Sequence, residues 1–321
     1  MINIQSILLA NKRIKEYLKE TPFSRSLQLS EGSTEVWMKL ENEQPITKSY
    51  KIRGALNKLL TLTKDELKIG VTTVSSGNHG VCLAYTASLL GIKKCIVFAA
   101  HTTPQPKIDK MLLFGAEVRL VGKNYDEAHS IAEAEMKELG LIEINSYEDP
   151  ILIAGQGTIG LEMLLKEPGL HYIIAPIGGG GLITGISIAA KTLNPNIKII
   201  GVQTESSPAM VKSIEDNICY EYFETKPSIC DALVGGVGKL PFKLARKCID
   251  EVLLIPENQI KKAMKIMVLK EKIVPEPSSA ISYGAYLMHK ERFKGKKVGL
   301  IISGGNADSY LIEEIIKGQY S

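Results

Sequence analysis

Residues 35–41, Glu-Val-Trp-Met-Lys-Leu-Glu, alternate polar and apolar positions, the period of two that lays one face of a strand on a core. Further along, short apolar runs at 70–74, 94–98 and 117–121 are each followed by a helical pattern, at 78–90, 104–114 and 125–139. Three successive strand–helix units imply strands paired in parallel, because a parallel pair needs a crossover long enough to hold a helix. A short strand at 141–145 leads into the turn-rich Ser146-Tyr-Glu-Asp-Pro150, where the chain is expected to cross between domains. The second half resumes the alternation with helix 151–165, strand 172–177, helix 182–192 and strand 198–204. Strand 251–255, helices 258–270 and 277–289, strand 297–302 and a closing helix from Asp308 complete it. A helix at 4–18 opens the chain, and 206–239 carries no clear period. No internal repeat stands out, so a solenoid is not indicated.

At 321 residues the chain exceeds what one core commonly supports, so two domains are expected. Hydrophobic residues at 45% and charged ones at 23% are ordinary for a globular protein. The net charge of +4 is small, and no block of Lys and Arg interleaves with aromatics, which argues against nucleic-acid binding. Residues 172–190 carry no charge, but Pro176 and four consecutive glycines interrupt them, so they read as strand, loop and helix rather than a membrane span. The first residues place Lys and Arg after the apolar positions, unlike a secretory signal. The five cysteines form no C-x-x-C pair, and the expectation is a cytoplasmic protein with buried thiols. Five scattered histidines show no zinc-ligand spacing.

Candidate chemistry begins at Lys51, where the polar stretch from Gln44 turns into a helical pattern. A lysine beside apolar and small residues can be desolvated, which frees its amine to condense with a carbonyl. Among 39 Lys and Arg, a single lysine is ordinarily a solvated surface charge, so Lys51 stands out only through its company. That company is Ser75-Ser76-Gly77-Asn78-His79-Gly80, Gly178-Gly179-Gly180-Gly181-Leu182 and Ser303-Gly304-Gly305-Asn306. Each follows an expected strand and precedes a helix, the place where α/β sheets bind ligands.

The four glycines offer unshielded N–H groups at a helix start, a cradle for phosphate, although a plain glycine-rich turn would read the same. They match neither G-x-G-x-x-G nor the P-loop. Asn78 and Ser303 could be simple helix caps. Alternatively, the Asn78 loop suits a carboxylate and a phenolic oxygen, and Ser303 could give a neutral hydrogen bond to a ring nitrogen. His79 is given no catalytic role.

Together and in this order, these segments resemble those of fold-type II pyridoxal-phosphate enzymes, in particular the serine/threonine dehydratase and serine racemase family. The likeness runs nearly end to end, adding Thr21-Pro-Phe and Gly155-Gln-Gly-Thr158 to the four motifs. It implies a tryptophan synthase β-subunit-like fold, two three-layer α/β domains with mostly parallel sheets. A large domain would comprise 1–65 and 148–321, and a small mobile one 70–145. It also implies pyridoxal 5'-phosphate as cofactor, with Lys51 joined to it and Gly178, Gly179, Gly180, Gly181 and Leu182 on its phosphate. Asn78 would face its phenolic oxygen and Ser303 its pyridine nitrogen. Ser75, Ser76, Asn78 and His79 would take the substrate, an amino acid.

The activity implied is a threonine or serine ammonia-lyase that eliminates a β-hydroxyl. Racemisation, or dehydration of 3-hydroxyaspartate or a related compound, is the second reading. Ser76, as in the racemases, would be the acid opposite Lys51. Lys48-Ser49 replaces the family's common Gly-Ser and puts an extra cation near the entrance. Glu205 matches one acidic ligand of the racemase cation site, but Val211 stands where a second is expected, so no metal site is expected. A homodimer or homotetramer is implied, with no nucleic-acid or membrane partner. A non-catalytic phosphate-binding protein would use the four glycines but leave Lys51 unexplained.

Overall fold

The computed structural model describes residues 2–123 and 125–318. Its strands are β1 (Phe23–Arg25), β2 (Glu35–Leu40), β3 (Val71–Val74), β4 (Cys95–Ala99), β5 (Glu117–Leu120), β6 (Ile142–Glu143), β7 (Tyr172–Pro176), β8 (Lys198–Thr204), β9 (Glu251–Ile255) and β10 (Lys297–Ile302). They form a six-stranded sheet ordered β1-β2-β10-β7-β8-β9 and a four-stranded sheet ordered β5-β4-β3-β6. Every pairing is parallel except β1 with β2.

The period of two explains why both sheets are covered on both faces. Ile174, Ile200, Leu300 and Ile302 point into a core with Ala280, Ile281 and Tyr283 of the Pro277–His289 helix. Their neighbours Ile173, Ile199 and Ile301 point the other way, into a core with Ile159 and Met163 of the Pro150–Lys166 helix and Ile183 and Ile186 of the Gly181–Leu193 helix. The smaller sheet does the same: Cys95 and Val97 face the Asn78–Leu89 helix, whereas Ile96 and Phe98 face Ala128, Ala132 and Met136 of the Tyr125–Glu138 helix. Each is therefore a three-layer α/β unit, the architecture that parallel sheets require.

This topology assembles the site. Because β2, β10 and β7 are parallel neighbours, their carboxyl ends lie side by side, and the chain leaves them toward Lys51, Ser303 and Gly178 respectively. The Pro150–Lys166 helix sets the spacing between Lys51 and the glycines. It approaches the Lys51–Leu59 helix closely enough that a Cβ on Gly155 would lie 2.6 Å from the Arg53 carbonyl oxygen. On its other side, a Cβ on Gly185 would lie 2.4 Å from the Ile153 carbonyl oxygen. Only glycines permit this approach.

The structure departs from the expected elements in several places. The first helix ends at Ile14 and the fourth strand of the small sheet shrinks to Ile142–Glu143. The helix expected at 258–270 ends at Ile266 and continues as π-helical turns, Met267–Glu271. Strand β1 and the helices Lys64–Ile69, Ala209–Asp216 and Lys239–Cys248 were not expected. Part of 206–239 is ordered by tertiary bonds with no periodic signature: Glu257 accepts from Thr204 Oγ1 and Ser228 Oγ at 2.6 Å each, and from the Ile229 amide at 3.0 Å.

Candidate active site

Lys51 is the first residue of its helix, and Arg53, two positions on, fixes that helix in place. The Arg53 guanidinium is buried and pairs in a bidentate manner with Glu41 (2.8 and 2.8 Å) and with Glu162 (2.5 and 2.8 Å). It also reaches Thr158 Oγ1 at 3.0 Å and Thr21 Oγ1 at 3.4 Å, which gives the Thr21 and Thr158 motifs a structural purpose. Lys39 completes a neutral set of two cations and two anions by pairing with Glu162 at 2.5 Å. Buried charges persist only when matched in this way, and the planar fork of arginine suits two carboxylates at once.

The Lys51 side chain is half-buried, and Nζ donates to the Ser146 carbonyl oxygen at 2.8 Å. Burial disfavours the ammonium and pushes its pKa down to about 8, against a smaller raising influence of Cys82 and Glu276. The next residue, Tyr147, lies on the tetraglycine turn: a Cβ on Gly179 would sit 2.3 Å from its ring, and one on Gly181 would sit 2.8 Å from its carbonyl oxygen. One dipeptide thus bridges Lys51 and the glycines. Gly180 caps the Gly181–Leu193 helix with φ +93°, a left-handed conformation that favours glycine. The amides of Gly178, Gly179, Gly180, Gly181 and Leu182 donate to no protein acceptor among the described residues.

Ser303 ends β10. Its carbonyl oxygen accepts from the Tyr50 amide at 3.0 Å, while Gly305 N–H donates to the Lys48 carbonyl at 2.8 Å, so the two segments are stitched together. Lys48 takes a left-handed φ of 51° in this seam. Ser303 is 3% exposed, and its hydroxyl has no hydrogen-bond partner among the described residues.

Asn78 opens its helix and faces Glu276, whose two carboxylate oxygens each lie 2.9 Å from Asn78 Nδ2. Asn306 donates from Nδ2 to Asn78 Oδ1 and to the Thr47 carbonyl, both at 2.8 Å. Burial raises the Glu276 pKa to about 7, only partly opposed by the Asn78 bond. Lys110 Nζ donates to Asn306 Oδ1 at 2.9 Å and Lys107 pairs with Asp231 at 2.5 Å, so the Gln105–Leu113 helix of the smaller sheet reaches across to the larger one.

In the loop after β3, Ser75 Oγ accepts from the Gly77 amide at 3.2 Å, and the amides of Ser76, Asn78 and His79 donate to no protein acceptor among the described residues. The His79 ring is buried, with Nε2 donating to the Ile144 carbonyl at 2.8 Å, and its pKa falls to about 3 through burial and the nearby Lys51 charge. It is neutral at physiological pH, and its backbone, not its ring, is what the loop can offer. The Ser76 hydroxyl is engaged by Thr103 Oγ1 at 2.8 Å and by the Ala100 amide at 3.2 Å.

The structure therefore gathers Lys51, the glycines and Ser303 along the carboxyl edge of the six-stranded sheet, with Asn78 in the segment after β3 that meets it. Sequence reasoning missed Ser146, Tyr147 and Glu276. The first two lie in the stretch read only as a turn. Glu276 precedes Pro277 at a helix start, a position that resembles an ordinary cap.

Comparison with known proteins gives a consistent picture. The family model described as "Pyridoxal-phosphate dependent enzyme" matches residues 14–304. An L-threonine ammonia-lyase of Thermotoga maritima is 40% identical over 318 residues, 98% of this chain and 78% of that protein. The L-threonine dehydratase catabolic TdcB of Staphylococcus aureus is 37% identical over 324 residues, 99% of this chain and 92% of that protein. Among solved structures, serine racemase from Dictyostelium discoideum superposes with a TM-score of 0.88 at 35% identity, covering 96% of this chain and 99% of that one.

Proposed function

We propose that this chain, which belongs to the pyridoxal-phosphate-dependent enzymes of fold type II, is a threonine or serine ammonia-lyase that converts the hydroxy amino acid to a 2-keto acid and ammonia. The observation that carries the reading is Lys51, whose amine is held on Ser146 while the adjacent Tyr147 covers Gly179 and Gly181.

The residues present fit the cofactor. Five unspent amides at a helix N-terminus suit a phosphate, a desolvated amine suits an aldehyde, and the unpartnered hydroxyl of a buried serine suits a ring nitrogen. Bound there, pyridoxal phosphate supplies the aldehyde to which Lys51 attaches and a ring that accepts electron density from the substrate. Gly178, Gly179, Gly180, Gly181 and Leu182 would hold the phosphate by backbone N–H, Asn78 would face the phenolic oxygen, and Ser303 the ring nitrogen. Ser75, Ser76, Asn78 and His79 bind the substrate carboxylate, chiefly through backbone amides. Lys51 Nζ, deprotonated readily at its lowered pKa, removes the Cα proton. Ser303, a neutral hydroxyl, would offer the ring nitrogen a hydrogen bond without giving up its proton.

Residues 70–145 form a small domain that closes on a large one made of 1–65 and 148–321, with Lys107 and Lys110 meeting Asp231 and Asn306 across the cleft. Closure excludes water from Lys51. The enzyme is a cytoplasmic homodimer or homotetramer. Among the described residues, no helix is long and apolar enough to cross a membrane.

Racemisation is the second reading, favoured by the Ser76 hydroxyl in the substrate loop and by the serine racemase likeness. Incubating the holoenzyme with L-threonine and L-serine, and assaying keto acid and D-isomer together, tests both. Keto acid in excess supports the lyase. D-isomer in excess replaces it with the racemase, and neither product removes the reading.

A further inference from the structure

The hydroxyl that would carry racemisation is already committed elsewhere. Ser76 follows β3, and the turn after the adjacent parallel strand β4 places Ala100 and Thr103 beside it. Thr103 is 7% exposed, and its Oγ1 lies 2.6 Å from the Ala100 carbonyl oxygen and 2.8 Å from Ser76 Oγ. A hydroxyl has one proton and two lone pairs. The carbonyl can only accept, so it takes the Thr103 proton at the shorter distance. The bond between the two hydroxyls must then be made by the Ser76 proton, donated to Thr103 Oγ1. The Ala100 amide donates to Ser76 Oγ at 3.2 Å and occupies one of its lone pairs. The Ser76 proton is thereby committed to Thr103, in the turn after β4.

We propose that Thr103 is a positioning residue that sets the balance between elimination and racemisation by holding the Ser76 hydroxyl. This inference rests on the lyase reading above. Lys51 removing the Cα proton leaves an electron pair with two outlets. In elimination, the pair becomes the second bond of a Cα–Cβ double bond as the Cβ–O bond breaks, the β-hydroxyl takes the proton held by Lys51 and leaves as water, and the enamine hydrolyses to keto acid and ammonia. In racemisation, the pair takes the Ser76 Oγ proton on the opposite face, forming a new Cα–H bond as the Ser76 O–H bond breaks, and Ser76 regains a proton from solvent water while Lys51 returns to solvent the one it removed. Thr103 withholds that proton and so leaves elimination as the main outlet. Sequence reading alone pointed to Ser76 as the acid. The geometry says that its competence depends on a residue 27 positions away, in a turn that carries no motif.

The test measures the ratio of D-serine to pyruvate formed from L-serine by the holoenzyme of the parent and its variants. Thr103→Val keeps the shape but removes the hydroxyl, and is expected to raise the ratio about tenfold, the weight of one well-made hydrogen bond. Thr103→Ser, which keeps the hydroxyl, is expected to stay near the parent. Adding Ser76→Ala to Thr103→Val is expected to abolish the gain. Thr103→Ala repeats the test if valine does not fit the turn. Crystal structures supply a readout independent of turnover: Ser76 Oγ on Thr103 in the parent, and rotated toward the cleft in the valine variant. An unchanged ratio in Thr103→Val, a gain that survives Ser76→Ala, or a parent crystal with Ser76 Oγ free of Thr103 would overturn the inference. If the parent yields neither product, the lyase reading itself fails and takes the inference with it.

Discussion

Glu276 and Asn78 meet across the cleft, with both carboxylate oxygens 2.9 Å from a single amide nitrogen. A Cβ on Gly304 would lie 2.6 Å from Glu276 Oε1, so the glycine after Ser303 is what admits the carboxylate. Burial raises the Glu276 pKa from its ordinary 4.5 to about 7. A raised carboxyl binds its proton more tightly when folded, so its stabilising contribution is complete below pH 4.5 and is lost as pH climbs through 7. Glu276→Gln should therefore hold, over that window, a few kcal/mol that the parent gives up. Urea unfolding at a series of pH values measures this, and parallel profiles for the two proteins would contradict it.

Arg53→Ala should cost about 3–5 kcal/mol, because it strands Glu41 and Glu162 in the interior without a partner. Arg53→Lys should recover only part of this, since an ammonium cannot serve two carboxylates with paired bonds. Denaturant midpoints decide the point; a lysine variant as stable as the parent would show that charge alone suffices.

Gly179→Ala would drive a Cβ to 2.3 Å from the Tyr147 ring. The expected outcome is at least a tenfold loss of pyridoxal-phosphate affinity, roughly 1.4 kcal/mol or more, with the fold retained. Titration of the apoenzyme by absorbance or fluorescence reads it, and unaltered affinity would place the phosphate elsewhere.

Lys107 and Lys110 are each half-buried and cross from one sheet to the other. Such contacts add little to global stability, so Lys107→Ala and Lys110→Ala should stay within about 1 kcal/mol of the parent. They should nevertheless raise KM by loosening closure. Steady-state kinetics beside thermal melts separates the two effects, and an unchanged KM in both variants would argue against a closing role.

Much of this molecule is written locally. Strands β8, β9 and β10 and the Pro277–His289 helix appear at the residues their periodicity marks, because packing on both sheet faces rewards the pattern that defines them. Lys51 and the glycines are visible because their local sequence is unusual. Arg53 is not, since its partners Glu41 and Glu162 lie 12 and 109 residues away and no local rule joins them. Ser146 escapes notice for a related reason: it serves Lys51 through a backbone carbonyl, a group that every residue has. Glu276 joins Asn78 from 198 residues off. Its raised pKa is a property of the assembled cavity.

The most direct measurement is borohydride reduction of the yellow holoenzyme followed by peptide mass mapping, with capture of pyridoxal phosphate by the apoenzyme followed across pH. The account predicts a reduced pyridoxyl label on Lys51, no label there or loss of colour on reduction in Lys51→Ala, and capture that quickens as pH rises through about 8, where the buried amine gives up its proton. A label on another lysine of the parent protein, or a protein that stays colourless with the cofactor in excess, would contradict it.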